Sequence, residues 1–599
     1  SGSKSAPLAS SRSAPRVMAP AGEQQTGAAA RNVLLITADQ LRGDCLGCAG
    51  HPVLRTPHLD GLASRGMRFA RHFTPAAPCA SARASLHTGL YMASHRVVAN
   101  GVPLRDGVTN WALELKRHGG LQPCVLGYVD QAPDPRSLPQ HDEKLRRWDG
   151  GHLPGLENLL EGNAMGSPAW LKARGISEQL GPDVLAEMEV PGFVSWNGWQ
   201  GDPNWMEVPE GAQARVDAPP LSSGFPAPAV YDAESSDTYV MTSHAIDYVS
   251  RQTEAKVPWA LHLSLLKPHP PILAPKPYNT KYPLAAVDLP AHRAGKAQDE
   301  AALHPFLAAE HSEGTQRPLV CHDTGTLGDA SEQELRVLRS SYYGLISEVD
   351  DNVGRLLAAL AELGADKNTL IIFTADHGDL LGDHWLRGKV GFHDGAFHVP
   401  LIVFDPTLPA GVPGSVVHAF TEHVDIAPTI LDFVGLAVPR QFEGRSLRAF
   451  AECPGSAPPG WRTAAHLEFD YGFRRSGGML RKERGLEMED CSLAVLRTAR
   501  RKLVHFGGGL PSLLFDLERD PSELVDVARD PAYAGDLAAL LSEMLRWRMK
   551  HADQTLTHVR VGTGGSILRH DSSGAGWEVS LEDPRMLAHS AKRPRLAAK

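Results

Sequence analysis

RNVLLITADQ (residues 31–40) is a short apolar run, partly β-branched, that breaks into polar residues at its carboxyl end. Val33 to Thr37 show no polar alternation, the mark of a strand covered on both faces. RTPHLDGLASRGMRF (55–69) follows, with Thr56 as a candidate N-cap and Pro57 in the first helical turn. Leu59, Leu62 and Ala63 share one helical face, and Gly66 marks the stop. Strand followed by helix is the rhythm of an α/β sheet.

The same rhythm returns at SEQELRVLRSSYYGLISEVDDNVGRLLAALAELG (331–364), where Ser331 and Glu334 form a capping-box pattern ahead of a long apolar stripe. NTLIIFTADHGD (368–379) then predicts a second buried strand from Thr369 to Thr374. Both strands run into the same three residues, Thr37-Ala38-Asp39 and Thr374-Ala375-Asp376. Ligands of open α/β sheets bind beyond the carboxyl ends of strands. A single aspartate there is ordinarily a turn former or helix cap. Two of them, with His377 directly following, point to a metal. Two carboxylates and an imidazole suit a divalent cation; the histidine admits Mn²⁺ or Zn²⁺, and Ca²⁺ stays open. VPWALHLSLLKPHPPI (257–272) reads as a third apolar strand, and again polar groups, Lys267 and His269, follow it.

PCASARASLHTGLY (78–91) sets Cys79 at the start of a small-residue helix with Arg83 four positions on. A thiol at a helix N-terminus, beside an arginine and a metal, is expected to have a depressed pKa. On spacing alone, however, structural cysteines are commoner. The other six, Cys45, Cys48, Cys124, Cys321, Cys453 and Cys491, are scattered, which argues against a disulfide framework. Cys45 and Cys48 form a lone C-x-x-C read as incidental, with a redox role as the lesser reading.

The 599 residues carry a formal charge of −9, 42% hydrophobic and 22% charged residues, the composition of a globular protein of more than one domain. No basic field calls for nucleic acid, and no run approaches the ~20 apolar residues of a membrane span. Residues 1–30 are expected to be a disordered segment without a signal peptide, giving a cytoplasmic reading. Residues 190–220 and 272–330 look too polar and broken for regular core elements, and read as lids, binding walls or subunit contacts. The texture changes after residue 455. AAHLEFDYG, CSLAVLRTARRKLVHF and SLLFDLERDP predict short strands, and a helix follows near Asp536 to His551. Residues 31–455 are thus read as the catalytic domain, 456–560 as a smaller α+β domain on an antiparallel sheet, and 561–599 as a surface arm or tail.

The ordered set NVLLITADQ, TPHLDGLASRGMRF, CASARASLHTGLY, KPHPP, TADHGDLLGDHWLRGK, VDIAPTILDFVG and LFDLERDPSELVDV resembles the type I sulfatases of the alkaline phosphatase superfamily. It is most similar to the phosphonate monoester hydrolase branch. The marks are Gln40 after Asp39 in place of a second aspartate, His377 where many sulfatases have asparagine, GYVDQAPDPR (127–136) and WRMKHADQTLTHVR (547–560). The resemblance implies a large mixed β-sheet sandwiched by helices.

It also implies that Cys79 is oxidised by a maturation enzyme to formylglycine, whose hydrate is a geminal diol. One hydroxyl attacks sulfur or phosphorus, and the other later collapses the covalent hemiacetal to expel sulfate or phosphate. Asp39, residue 79, Asp376 and His377 would hold the metal, with Gln40 beside it. Arg83 would orient the diol, Lys389 and Lys267 would neutralise ester oxygens, and His269 would protonate the leaving oxygen. Asn100, Tyr128 and Asp130 would line the pocket. The expected activity is hydrolysis of small anionic esters, namely phosphonate monoesters, phosphodiesters and sulfate monoesters, by a homotetramer or dimer. A dedicated sulfatase and a catalytically silent binding protein are the alternatives.

Four positions depart from the pattern. Ser81 stands where the modification motif carries proline or alanine, which bears on conversion of Cys79. Asp130 replaces a threonine and adds negative charge that disfavours dianionic substrates. Lys267 replaces an arginine, and His398 another, the latter without derived consequence.

Overall fold

Asn32–Ala38 lies near the middle of an eight-stranded sheet, parallel to Thr369–Thr374 on one side and Ala260–Leu265 on the other. The computed structural model describes residues 31–139, 153–159, 231–290, 296–312, 324–453 and 455–552, with short pieces at 224–226, 228–229, 314–315, 319, 559–561, 567–570 and 576–578. Cys124–Leu126 and Glu157–Asn158 extend the sheet beyond Ala260–Leu265. Leu401–Phe404, Met67–Phe73 and Ser415–Glu422 extend it the other way. Leu401–Phe404 runs antiparallel to both neighbours, which makes the sheet mixed.

The apolar run of the first strand is explained by layers on both faces. Leu34, Ile36 and Ala38 pack with the long helix Glu332–Glu362 and with Asp237–Glu254. Val33 and Leu35 pack on the opposite side with Trp111, Leu86 and Ile430 of three other helices. The large mixed sheet sandwiched by helices is therefore the observed architecture. The capping box at Ser331 and Glu334 also forms, satisfying two backbone donors reciprocally.

Thr56 does not cap the helix Pro57–Arg65. Its hydroxyl donates to Asp60 Oδ1 at 2.9 Å, while the helix's free N–H groups at His58 and Leu59 reach Asp350 of the long helix at 3.2 and 2.8 Å. A tertiary carboxylate has replaced the local cap.

A second sheet lines up Leu513–Asp516, Arg501–Phe506, Ser492–Thr498 and Ala464–Asp470 in antiparallel order. Ala76–Ala77 adds to its edge in parallel, Phe469 opposite Ala77. The helix Ala534–Lys550 covers one face through Leu540 and Met544. The other face shares a core with the large domain, Phe73, Leu380 and Phe397 meeting Leu467, Phe469 and Phe515.

One expectation needs correction. The segment 272–330 contains regular core structure: Ala297–Ala301 and Pro305–His311 are helices, and Phe306 and Leu307 are buried against the second sheet. His304 caps the second of these by accepting from Phe306 N at 3.1 Å, a local signal hidden among polar residues. The region read as a surface arm or tail carries short strands. Its segments Ile567–His570 and Gly576–Glu578 join Val559–Val561 in a three-stranded antiparallel sheet, because backbone pairing does not need a long apolar run. Residues 1–30, 190–220 and Cys321 lie outside the described residues.

Candidate active site

Thr37 pairs with Thr374 in the sheet, so Asp39 and Asp376 leave their strands at the same level. Gln40 turns the first chain with a φ of 66°, a left-handed conformation uncommon for a non-glycine residue, and its N–H donates to Asp376 Oδ1 at 3.1 Å. From the other side comes the helix Cys79–Thr88, whose first residue faces the aspartates. Its approach is set by the Ala76–Ala77 pairing with the second sheet, so both domains place residue 79.

Asp39, Cys79, Asp376 and His377 bring one ligand atom each within 4.8 Å of one another, and all four are buried. Cys79 Sγ lies 3.1 Å from His377 Nε2, which is 3.7 Å from a carboxylate oxygen of each aspartate. His377 Nδ1 donates to Gly378 O at 3.0 Å, so Nε2 is the nitrogen that could coordinate an ion. Burial pushes His377 down to about 3, leaving the imidazole neutral near pH 7. Asp39 is pushed up by burial and by Asp376, and its Oδ1 accepts no hydrogen bond among the described residues. An orphaned carboxylate oxygen beside a second carboxylate and a neutral imidazole fits a divalent cation. The depressed pKa expected of Cys79 was argued for a thiol beside a metal, and the shift described here is that of the metal-free chain. There burial, Asp39, Asp376 and Asp130 push the thiol up, outweighing Lys389.

Arg83 binds the carboxylates directly. Nε donates to Asp376 at 2.9 Å and Nη2 to Asp39 at 3.1 Å and to the Tyr128 hydroxyl at 2.7 Å. Its guanidinium stacks 4.0 Å over the Tyr128 ring, and Ser264 and the Tyr128 carbonyl take Nη1. Tyr128 also donates to Asp39. Lys389 donates to Gln40 Oε1 at 3.0 Å, while Gln40 Nε2 donates to Asp379 at 2.5 Å. Lys267 is 4% exposed at the edge of the sheet where the aspartates lie. Half-buried His269 donates from Nδ1 to Pro270 O at 2.8 Å, which assigns Nε2 as the acceptor nitrogen of the neutral ring. Asn100 accepts from Ala80 N at 3.1 Å, holding the first turn of the helix behind residue 79. Asp130 is buried with a φ of 50° and adds negative charge beside Cys79 and Arg83. His398 packs elsewhere, against Phe73, with Nε2 on Ala70 O at 3.1 Å.

Asp379, His423 and Gln131 were not legible in sequence. Asp379 holds Gln40 and also accepts from Leu381 N and Gly388 N, each at 2.7 Å, which shapes the loop bearing Lys389. His423 donates to Asp376 O at 2.9 Å, and Gln131 donates to Ala80 O at 2.8 Å. Asp379, the last residue of TADHGD, and Gln131, within GYVDQAPDPR, lay inside motifs already singled out, but nothing in the sequence assigned their contacts. Cys45 and Cys48 are free thiols, and burial pushes Cys48 up to about 12, so the lone C-x-x-C has no thiolate to offer.

Glu348, on the long helix, is fully buried near Lys267 and is pushed up to about 8 by burial, partly offset by Ser236 and Lys267. The folded chain therefore holds a proton that the unfolded chain releases near 4.5, so stability is lost as pH rises from that value toward 8. Glu348→Gln is expected to melt like the parent at pH 5 and above it at pH 9. Parallel melting curves at both pH values would overturn this.

The site matches a known class. A family model described as Sulfatase matches residues 31–146 and 168–436, and one described as N-sulphoglucosamine sulphohydrolase, C-terminal, matches 382–550. The chain belongs to the sulfatase family and is a hydrolase of ester bonds. Among its relatives is the multifunctional alkaline phosphatase superfamily protein PehA of Trinickia caryophylli, 37% identical over 555 residues, 90% of this chain and 99% of the relative. An arylsulfatase of Clostridium perfringens is 29% identical over 82% of this chain and 89% of its own length. The crystal structure of the phosphonate monoester hydrolase of Agrobacterium radiobacter superposes with a TM-score of 0.77 at 37% identity, covering 90% of this chain and all (100%) of that one. Among the described residues, no helix is long and apolar enough to cross a membrane.

Proposed function

We propose that this chain is a formylglycine- and metal-dependent hydrolase of monoanionic esters, namely phosphonate monoesters, phosphodiesters and sulfate monoesters. The observation that carries the reading is the buried quartet Asp39, Cys79, Asp376 and His377 at the end of the sheet, with Lys389 held alongside through Gln40. The similarity to a relative named multifunctional supports a broad ester range.

A bound divalent ion, Mn²⁺, Ca²⁺ or Zn²⁺, would supply Lewis-acid stabilisation of negative oxygens at residue 79 and on the ester. The chain's own groups do the rest. Arg83 holds the two carboxylates in place and offsets part of the cost of their negative charge. Lys389 and Lys267 neutralise nonbridging oxygens of the transferred group. His269 Nε2 delivers the proton to the leaving oxygen. Asp130 adds negative charge where a dianion would bring its second charge, which favours monoanions.

Cys79 has to become formylglycine, so a maturation enzyme is a required partner. Ser81 is fully buried, and its hydroxyl makes no hydrogen bond among the described residues, so the folded chain itself does not need serine there. The test pairs p-nitrophenyl esters of phenylphosphonate and sulfate with dianionic p-nitrophenyl phosphate, alongside tryptic mass spectrometry of the residue-79 peptide from the native host. Turnover of the phosphonate ester above the phosphate monoester, with formylglycine present, is expected. A strong preference for sulfate returns the chain to the dedicated sulfatases, and unmodified thiol throughout removes the enzyme reading.

The reading extends to a homo-oligomer. Leu545 and Met549, 61% and 68% exposed on the helix that leads to the C-terminal arm, support a covered face there. A monomer by light scattering would overturn that part.

A further inference from the structure

A second group of buried ligand-type side chains lies apart from the catalytic quartet, where the loop 380–394 meets the helices near residue 300 and the second sheet. Glu300, His384 and His393 place one ligand atom each within 4.8 Å of one another and are 5%, 3% and 2% exposed. Glu300 Oε1 is 2.6 Å from His384 Nδ1 and 3.7 Å from His393 Nε2. We propose that these three residues, completed by His311, form a second cation site, built for a divalent transition ion of the zinc class.

A hydrogen-bonded histidine–glutamate lock would account for the 2.6 Å contact but leaves other polar atoms unexplained. Glu300 Oε2 makes no hydrogen bond among the described residues, nor does either ring nitrogen of His311, whose Nε2 lies 3.9 Å from that oxygen. The His311 side chain is only 5% exposed. An unpaired buried polar group costs about 1–3 kcal/mol, and an ion bound between the carboxylate and the imidazoles would satisfy these together.

The outer contacts have the form that metal-bound histidines use. His393 turns Nδ1 to Glu523 Oε2 at 3.2 Å, which directs Nε2 toward Glu300. Glu523 is itself held by Lys502 at 2.8 Å. A carboxylate behind an imidazole fixes its tautomer and raises its basicity as a ligand. His384 and Trp385 both adopt left-handed backbone, with φ of 56° and 53°, a cost that persists only where the surroundings enforce it. A cavity of about 160 Å³ is lined among others by His384, His393, Glu523 and Asp394.

The donor set separates this site from the catalytic one. Imidazoles with a single carboxylate favour zinc-class ions in four-coordinate geometry, whereas two aspartates favour harder ions. Its consequence is positional. His384 and His393 flank Lys389 on one loop, Glu300 and His311 come from helices 297–301 and 305–311, and Glu523 follows the second sheet. An ion here pins the Lys389 loop between the two domains.

The test is metal stoichiometry of the full-length chain, stripped with chelator, reloaded with Zn²⁺, desalted and measured by plasma mass spectrometry. Two ions per chain are expected in the parent, one in His393→Ala and one in Asp39→Asn. A parent that retains one ion overturns the site, as does a folded His393→Ala protein that still retains two. Should His393→Ala fail to fold, as read by circular dichroism, the parent and Asp39→Asn counts decide.

Discussion

Cys79→Ala is expected to lower kcat/KM toward the preferred ester by about 10³- to 10⁶-fold, the range seen when a catalytic nucleophile is removed. The fold should survive. Cys79 is 2% exposed in the first turn of a helix whose other residues are unchanged, so the stability cost is that of a small buried truncation, about 1 kcal/mol. Arg83, Lys389 and the aspartates remain, and the residual rate they leave measures positioning and charge stabilisation alone. Turnover near that of the parent, in a preparation free of contaminating hydrolase, would show that residue 79 is not the nucleophile.

Arg83→Leu is the second large effect, and it is read in stability. Asp39 and Asp376 are both fully buried, and Arg83 is the one guanidinium that bridges them among the described residues. Removing one partner of a buried ion pair costs about 3–5 kcal/mol, because a charge is left without compensation. That loss is expected in the metal-free chain by chemical denaturation. With saturating Mn²⁺ the loss should shrink, since the cation binds the folded state and neutralises the stranded carboxylates. An equal loss with and without Mn²⁺ would mean that the ion does not sit between Asp39 and Asp376.

Much of this centre was readable before any tertiary contact was known. The apolar runs at Val33 and Thr369 could only be strands covered on two faces, and their shared ending put Asp39 and Asp376 at the edge where sites form. Order of motifs then lifted Cys79, Arg83 and Lys389 above solvated or structural readings that spacing alone favoured. The failures share a cause. Thr56 was assigned a local cap that Asp350 supplies from 291 and 292 residues away. The helices near 300 were missed because Phe306 and Leu307 are apolar only in pairs and gain their meaning from a sheet formed much later in the chain.

Sequence by itself determined the α/β layering and the two strand-end aspartates, because those depend on periodicity and short-range chemistry, while the candidacy of Cys79 came from the resemblance carried by the ordered motifs. The tertiary structure alone decided what holds them. Arg83 joining both carboxylates, Asp379 gripping Gln40, and Ala76–Ala77 stitched to the second sheet are contacts between segments far apart in the chain. So is the His384, His393 and Glu300 cluster, whose members read singly as loop residues. Such contacts leave no periodic trace, since they are fixed by where the packed sheets and helices bring the chain together.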